Sequence, residues 1–387
     1  MGYLQYLPLI CVMIFFGFLV KLFAKKAKLP WVILLILLGA AFANISIGGV
    51  AFYIPPEFLI GFTLFVLIIV VFNDISTITT HEFTEYSKSA LRLTTISKII
   101  NMMFLSFFSY LIFGFSEPLL NFLLVFAVSN TDITSLMFMF KENKAIETLK
   151  FEALFSTPIS LLGSLVIIGA MQFSPGISFG LAGFIPFIKK IFFGIGAGAI
   201  LSILTFSMMS KYHHKHISRF LLISLAIAAY FLGEFIGGYG IFAIAVYALV
   251  FEKSFLEKKD ELRHFSKKLS DFFSVVAFML LGYIMPTGLT PLVLLKAVGF
   301  FIVYLVLRLA SVFLALHGEF KTKEIFFIAL TVPKGLTACA LTLFLSVLLF
   351  IPVGFSDIVA VFLLLSIILS CIMALSSHYL FKKEIEE

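Results

Sequence analysis

The sequence carries little charge. Only 13% of its residues are Asp, Glu, Lys or Arg, about half the share found in a soluble domain. With 61% hydrophobic residues and a mean hydropathy of +1.13, an ordinary soluble enzyme and a disordered chain are excluded. Cysteine is scarce too. Cys11, Cys339 and Cys371 lie at unrelated spacings in apolar stretches. That excludes a disulfide-stapled secreted domain and gives no metal motif. Phosphate loops, paired catalytic acids, nucleophile–base sets and metal-ligand clusters are all missing. Neither an enzyme nor a resident cofactor is expected. The net charge is +7. In so apolar a chain, positive charge marks cytoplasmic loops, so no nucleic-acid partner is expected.

What is present is apolar length. A bilayer crossing needs about 20 apolar residues. Thirteen apolar segments are read, at roughly 3–23, 31–45, 57–74, 90–114, 118–140, 149–172, 184–209, 217–233, 238–252, 266–286, 291–316, 324–349 and 355–381. The expected fold is an all-α polytopic membrane protein with about 13 transmembrane helices, partnered by the lipid bilayer. The 50 phenylalanines are read as lipid-facing and packing bulk.

Alternate connections are basic. Lys21, Lys25, Lys26 and Lys28 follow the first span, Lys211, Lys215 and Arg219 the seventh, and Lys382 and Lys383 the last. In all, 22 of the 28 Lys and Arg residues fall on one side. The positive-inside rule then puts the N-terminus outside and the C-terminus inside. Positive charge follows the first span and does not precede it, so that span is read as a retained helix.

Thirteen spans divide into six, a linker and six. The whole of 1–387 is read as one transporter domain, with spans one to six (1–172) as a first repeat. Residues 184–209 form the linker helix, and spans eight to thirteen (217–381) form a second, inverted repeat. Inverted repeats are a common plan of secondary transporters. Span five reads FLLVFAVSNTDITSL and span twelve EIFFIALTVPKGLTA. Aligning Ala127 with Ala329, an offset of 202 residues, brings Ser129 to Thr331, Thr131 to Pro333 and Asp132 to Lys334. Pro333 removes a backbone donor and Gly335 weakens the helix after it. Ser129, Asn130, Thr131 and Asp132 compete for local backbone bonds. Both spans are therefore expected to break near mid-bilayer, which is tolerated inside protein or beside a water-filled cavity.

A charge at that depth costs about 2.5–3.5 kcal/mol and needs a reason. Asp132 is the first candidate, as an ion-binding carboxylate; a helix cap or salt bridge is the alternative. Lys334 is read as compensating helix ends or pairing with an acid. Glu152 is either a solvated end residue or a buried partner for Lys334. Lys98 and Arg308 place one further cation each in spans four and eleven. His213, His214 and His216 form a loop that either senses pH or is merely solvated. Asp74, Glu234 and Asp357 fall near span ends and are read as interfacial. Gly194, Gly196 and Gly198 are read as helix packing.

The chain resembles the monovalent cation–proton antiporter superfamily, the sodium–proton exchangers, over nearly its whole length. AKLPWVILLILLGAAF and FLIGFTLFVLIIVVFND look like that family's second and third spans. NTDIT resembles the Thr-Asp of its first broken helix, and VPKGLTACAL the basic-residue–Gly motif of the second. FSVVAFMLLGYIM resembles the tenth span, and LRLASVFLA around Arg308 the eleventh. The resemblance implies a moving core of spans four to six and eleven to thirteen, in which five and twelve cross. It also implies a panel that forms a homodimer. Thr131, Asp132, Glu152 and Lys334 carry over. One departure matters: where the family's sixth span commonly has Asn-Asp or Asp-Asp after the Glu, this chain has Ser156 and Thr157. These carry over as positions only.

Exchange requires a site that holds a proton or a cation but not both. A buried carboxylate does so if it titrates near the working pH. Hydroxyls of Thr131, Ser156 and Thr157 would complete an oxygen shell around the ion on Asp132. The expected function is exchange of a monovalent cation for protons by alternating access, with Na⁺ first and K⁺ or Li⁺ as alternatives. A related cation or cation-coupled solute transporter without proton coupling is the second reading, favoured by Ser156-Thr157. The expected location is the cell membrane of a prokaryote.

Overall fold

The computed structural model describes residues 6–27, 29–44, 46–47, 50–51, 54–76, 85–133, 139, 143–173, 181–211, 217–254, 259–285 and 290–380. Helices α1 (Tyr6–Lys26), α2 (Trp31–Asn44) and α3 (Pro56–Ser76) come first, with a two-residue hairpin, Ser46–Ile47 against Val50–Ala51, before α3. Next, α4 (Glu85–Ile100) runs through a π-helical turn (Asn101–Leu105) into α5 (Ser106–Phe113). Then come α6 (Pro118–Val128), α7 (Lys144–Phe173), α8 (Leu181–Lys211), α9 (Ile217–Phe235), α10 (Gly240–Ser254) and α11 (Lys259–Ile284). The chain ends with α12 (Pro291–Leu316), α13 (Thr322–Leu330), α14 (Leu336–Val347) and α15 (Phe355–Leu380). Among the described residues the protein is thus built of helices.

Local sequence explains several boundaries. Pro118 and Pro291 open α6 and α12. A first-turn proline loses no hydrogen bond there, and its fixed φ suits the helix. Gly114 ends α5 at φ 74°, a left-handed position that glycine takes without strain. Among the described residues, five stretches are long and apolar enough to cross a bilayer: Tyr86–Phe113, Lys144–Met171, Ile188–Ser207, Pro291–Leu316 and Phe355–Ser376. Seven shorter apolar helices accompany them among the described residues. Helices extend past the apolar segments where charge begins, as α7 does from Lys144 and α11 from Lys259. The histidines at 213, 214 and 216, residues 134–138 and 140 of the expected fifth span, and the side chain of Asp74 lie outside the described residues.

The chain forms two compact units. One comprises Leu64–His81 and Leu161–Phe273. Within it α8, α9 and α10 pack on one another. Gly194 lies against the Tyr239 carbonyl and Gly198 against that of Ala243, with no room for a Cβ at either, while Gly196 faces open space. The glycine series is thus a packing device at two of its three positions. Glu234 Oε1 accepts from Gly240 N at 2.9 Å and so caps the start of α10.

The other unit comprises Met1–Thr63, Glu82–Ser160 and Ser274–Glu387. Within it α2 meets the end of α11 backbone to backbone. Gly39 lies on the Met279 carbonyl, and Gly282 on that of Ile36. Helix α12 runs along α4 and also touches α13 and α15; α14 packs on α15 and α5 on α6. Where α12 turns into α13, Glu319 gathers three helix starts. Its carboxylate accepts from Ser89 Oγ at 2.7 Å and pairs with Arg92 at 2.8 Å, and its carbonyl accepts from Lys144 Nζ at 2.8 Å. The Ser89 hydroxyl, followed by the Arg92 guanidinium, holds the Glu319 carboxyl below the usual glutamate range.

Candidate functional site

The site grows from two places where a helix stops inside the second unit described above. Helix α6 ends at Val128, with Ser129 as its C-cap at φ −90°, ψ 1°. Helix α13 ends at Leu330, with Thr331 as its C-cap at φ −87°, ψ 91°. Pro333 explains the second stop: it has no N–H, and it disfavours helix for the residue before it. The helix resumes as α14 after Gly335. Both breaks fall in the VSNTD and VPKG stretches where they were expected. The two unwound segments lie against each other, joined by Asp132 N–H donating to the Pro333 carbonyl at 2.9 Å.

A helix that stops here leaves carbonyls without their usual partners. Three in succession are taken by different elements. Ser129 O accepts from Lys98 Nζ of α4 at 3.1 Å, with Ser156 Oγ more distant at 3.5 Å. Asn130 O accepts from Lys334 Nζ. Thr131 O accepts from Thr157 Oγ1 of α7 at 2.9 Å. The C-terminal end of a helix carries partial negative charge, and two ammonium groups meet it. On the other segment, Val332 N donates to Ser370 Oγ at 3.1 Å and Val332 O accepts from Ser366 Oγ. The Asp132 carboxylate lies directly on Gly335, where a Cβ would overlap it. It thus sits at the N-terminal end of α14, which favours negative charge. Each unwound segment supplies the charge that suits the other's helix end.

Glu152 takes a different partner from the one the sequence suggested. Its carboxylate accepts both arms of the Arg308 guanidinium, at 2.5 and 2.6 Å, and both side chains are 2% exposed. The solvated-end reading of Glu152 and its pairing with Lys334 are both replaced. The reason is geometric. The planar fork of Arg308 matches a carboxylate, whereas Lys334 reaches the Asn130 carbonyl and lies 3.4 Å from the Tyr304 hydroxyl. The Lys334 ammonium also sits 5.1 Å from the Tyr304 ring and 5.8 Å from that of Phe362, within cation–π range. Arg308 is braced further by Ser97 Oγ at 3.3 Å.

Of the residues singled out from sequence, Lys98, Thr131, Asp132, Glu152, Ser156, Thr157, Arg308 and Lys334 all come to this region. Ser156 and Thr157 spend their hydrogens on the carbonyls of the first break. Thr131 Oγ1 is buried with no hydrogen-bond partner among the described residues, and so are Asn130 Oδ1 and Thr331 Oγ1. Buried oxygens of this kind are costly, and they are ligands of the type a hard monovalent ion takes. Sequence reasoning passed over two contributors, Ser160 and Tyr304, and read Asn130 and Thr331 only as part of the break and of the repeat. Ser160 carried a usable signal, because Glu152, Ser156 and Ser160 repeat at four-residue spacing on one face of α7. Tyr304 stands one turn before Arg308 in the same way.

Comparisons with known proteins bear on the family and the fold. The sequence pattern of the sodium/hydrogen exchanger transmembrane family matches residues 11–376. Over 251 residues the chain is 24% identical to the low-affinity Na(+)/H(+) antiporter NhaS1 of Synechocystis sp.. That match takes in 64% of this chain and 46% of the relative, so the chain spans less than half of that relative's length. The fold is similar to that of the sodium proton antiporter MjNhaP1 from Methanocaldococcus jannaschii at pH 8, with a TM-score of 0.75 and 21% identity over 100% of both chains. An electron-microscopy structure of the same antiporter matches at a TM-score of 0.73 with 20% identity, over 100% of this chain and 99% of that one.

Proposed function

The chain belongs to the sodium/hydrogen exchanger family, and from that premise we propose that it exchanges a monovalent cation, Na⁺ before K⁺ or Li⁺, for protons by alternating access. It is an integral membrane protein and a transporter. The observation that carries the proposal is the join between the two breaks. Asp132 is fixed there by its own backbone bond to Pro333, beside the buried Thr131 hydroxyl, which has no partner among the described residues. In this reading the cation binds to the Asp132 carboxylate and Thr131 Oγ1, while Thr157 and Ser156 hold the unwound carbonyls in place and offer their remaining lone pairs. A proton and a cation compete for the same carboxylate, so one leaves as the other enters. Glu152, Arg308, Lys98 and Lys334 set the surrounding charge.

The proposed architecture is thirteen spans in two inverted repeats of six, spans one to six (1–172) and eight to thirteen (217–381), about a linker helix at 184–209. The N-terminus is outside and the C-terminus inside. The offset of 202 residues supports this: it carries the last residue of α6, Val128, onto the last residue of α13, Leu330, and one C-cap onto the other. The reciprocal placing of Asp132 and Lys334 supports crossed breaks. Homodimerisation and residence in the cell membrane of a prokaryote complete the proposal, supported by the family alone. The reading without proton coupling rests on Ser156-Thr157, and the match across nearly the whole chain does not favour it.

The test is direct. Purified protein in sealed liposomes, with an internal pH dye and an imposed pH gradient, receives Na⁺, K⁺ or Li⁺ from outside. Cation-dependent proton movement is expected, and Asp132→Asn is expected to abolish it. A folded, inserted protein that moves no protons would overturn the antiport reading. Unchanged flux in Asp132→Asn would overturn the site.

A further inference from the structure

Lys98, which is partly buried, has a setting unlike that of the buried cations Arg308 and Lys334. Its ammonium meets three oxygens: Ser129 Oγ at 2.9 Å, Ser129 O at 3.1 Å and Ser160 Oγ. An alkylammonium has three N–H donors and no acceptor, so all three donors are used, each on oxygen. The oxygens are fixed independently. Ser129 is the C-cap of α6, with its own N–H on Val125 O at 2.9 Å, and Ser160 is carried on α7. Both serines are buried. Ser129 O also lies at the negative end of the α6 dipole. Charged groups facing this point are Glu152 of α7, Arg308 of α12 and Lys334 of the second break. Lys334, by contrast, has one carbonyl, one phenol at 3.4 Å and two ring faces, so it is not caged by oxygen.

We propose that Ser129 O, Ser129 Oγ and Ser160 Oγ form a monovalent-cation site separate from the Thr131–Asp132 carboxylate, and that the Lys98 ammonium is its tethered occupant. A compact, singly charged, hard cation held by one carbonyl and two hydroxyl oxygens needs no carboxylate, and an ammonium and a small alkali or alkylammonium ion present the same charge to those oxygens. The tether keeps the occupant in place. A free ion at this place would come and go with its concentration, while the Lys98 side chain is held at the end of α6 by the chain itself. A further structural sign is the π-helical turn that begins three residues after Lys98; such turns recur at functional sites. The proposal does not depend on proton exchange, because it concerns what fills an oxygen cage.

The experiment removes the tether and returns the cation. Full-length Lys98→Ala is purified, and its thermal midpoint is measured in methylammonium, ammonium, potassium, sodium and choline chlorides at equal ionic strength. The parent protein and Lys98→Met, whose side chain still fills the space, are measured alongside. All measurements are repeated in an Asp132→Asn background to silence the carboxylate site. The expected result is a lower midpoint for Lys98→Ala in choline, raised by several degrees with methylammonium or ammonium and rising with the logarithm of their concentration. The parent and Lys98→Met show no such gain, and the effect persists with Asp132→Asn. Adding Ser160→Ala to Lys98→Ala weakens the gain. A Lys98→Ala midpoint that responds no more to these cations than to choline would overturn the proposal. So would a response that vanishes with Asp132→Asn, or a Lys98→Ala protein that cannot be recovered folded in any of the salts.

Discussion

Replacing Glu152 by Gln leaves the Arg308 guanidinium buried with an amide in place of its carboxylate. Both side chains are 2% exposed, so solvent does little to soften the loss. The pair consists of two charge-assisted contacts at 2.5 and 2.6 Å, each of a kind that contributes about 1.5–3 kcal/mol. Removing one member of a buried pair costs about 3–5 kcal/mol, mostly through the charge left behind. Glutamine keeps the volume and one acceptor, so Glu152→Gln is expected near the lower end, about 3 kcal/mol. Glu152→Ala and Arg308→Met, which strip more, are expected nearer 5 kcal/mol, to the same order of magnitude. Changing both at once, Glu152→Met with Arg308→Met, removes both charges and fills the space. That protein is expected within about 1 kcal/mol of the parent. The assay is graded unfolding in mixed micelles, followed by helical circular dichroism, as a double-mutant cycle. A Glu152→Gln protein as stable as the parent would refute the reasoning, and so would a double variant as weak as the sum of the singles.

Other outcomes follow from the same contacts. Gly335→Ala places a methyl group on the Asp132 carboxylate; cation-dependent proton flux in liposomes is expected to fall by more than tenfold, a shift of about 1.4 kcal/mol at the site, while the protein remains folded. Gly39→Ala and Gly282→Ala each push a Cβ into a carbonyl of the facing helix and are expected to cost about 1–3 kcal/mol of stability in the same micelle titration. Thr157→Val removes the donor to Thr131 O and is expected to raise the cation concentration for half-maximal flux. At Glu319 the carboxyl is held below its ordinary value. Its contribution is therefore complete above the ordinary glutamate value of about 4.3 and is lost as pH falls through the depressed one. Thermal midpoints are expected to fall more steeply with acid in the parent than in Glu319→Gln, by less than about 1 kcal/mol because the pair is exposed.

Much of this was legible in the sequence because membrane depth makes polarity costly. Charges at Lys98, Asp132, Glu152, Arg308 and Lys334 stood out against apolar runs, and Pro333 and the Ser-Asn-Thr-Asp run announced the breaks by removing or diverting backbone bonds. The identity of partners was not legible. Nothing along the chain ranks Arg308 above Lys334 as the mate of Glu152; that choice depends on how α7 and α12 face each other and on the match of a planar fork to a carboxylate. The π turn after Lys98 was equally hidden, since Asn101–Leu105 reads as ordinary apolar helix. Asn130 and Thr331 were legible as part of the break and of the repeat but not as ligands, because that interest lies in oxygens that find no partner among the described residues, a property of the fold and not of residue type.

An unwound stretch in a helix is readily imagined as a hinge. The end of α6 behaves otherwise. Its three consecutive carbonyls are gripped by α4 through Lys98, by the segment after α13 through Lys334, and by α7 through Thr157. Three supports from three directions leave a rigid body no freedom to pivot, as a tripod on uneven ground does not rock. The break is therefore a braced joint. A shape change that keeps these bonds carries α4, α6, α7 and the α13–α14 segment together.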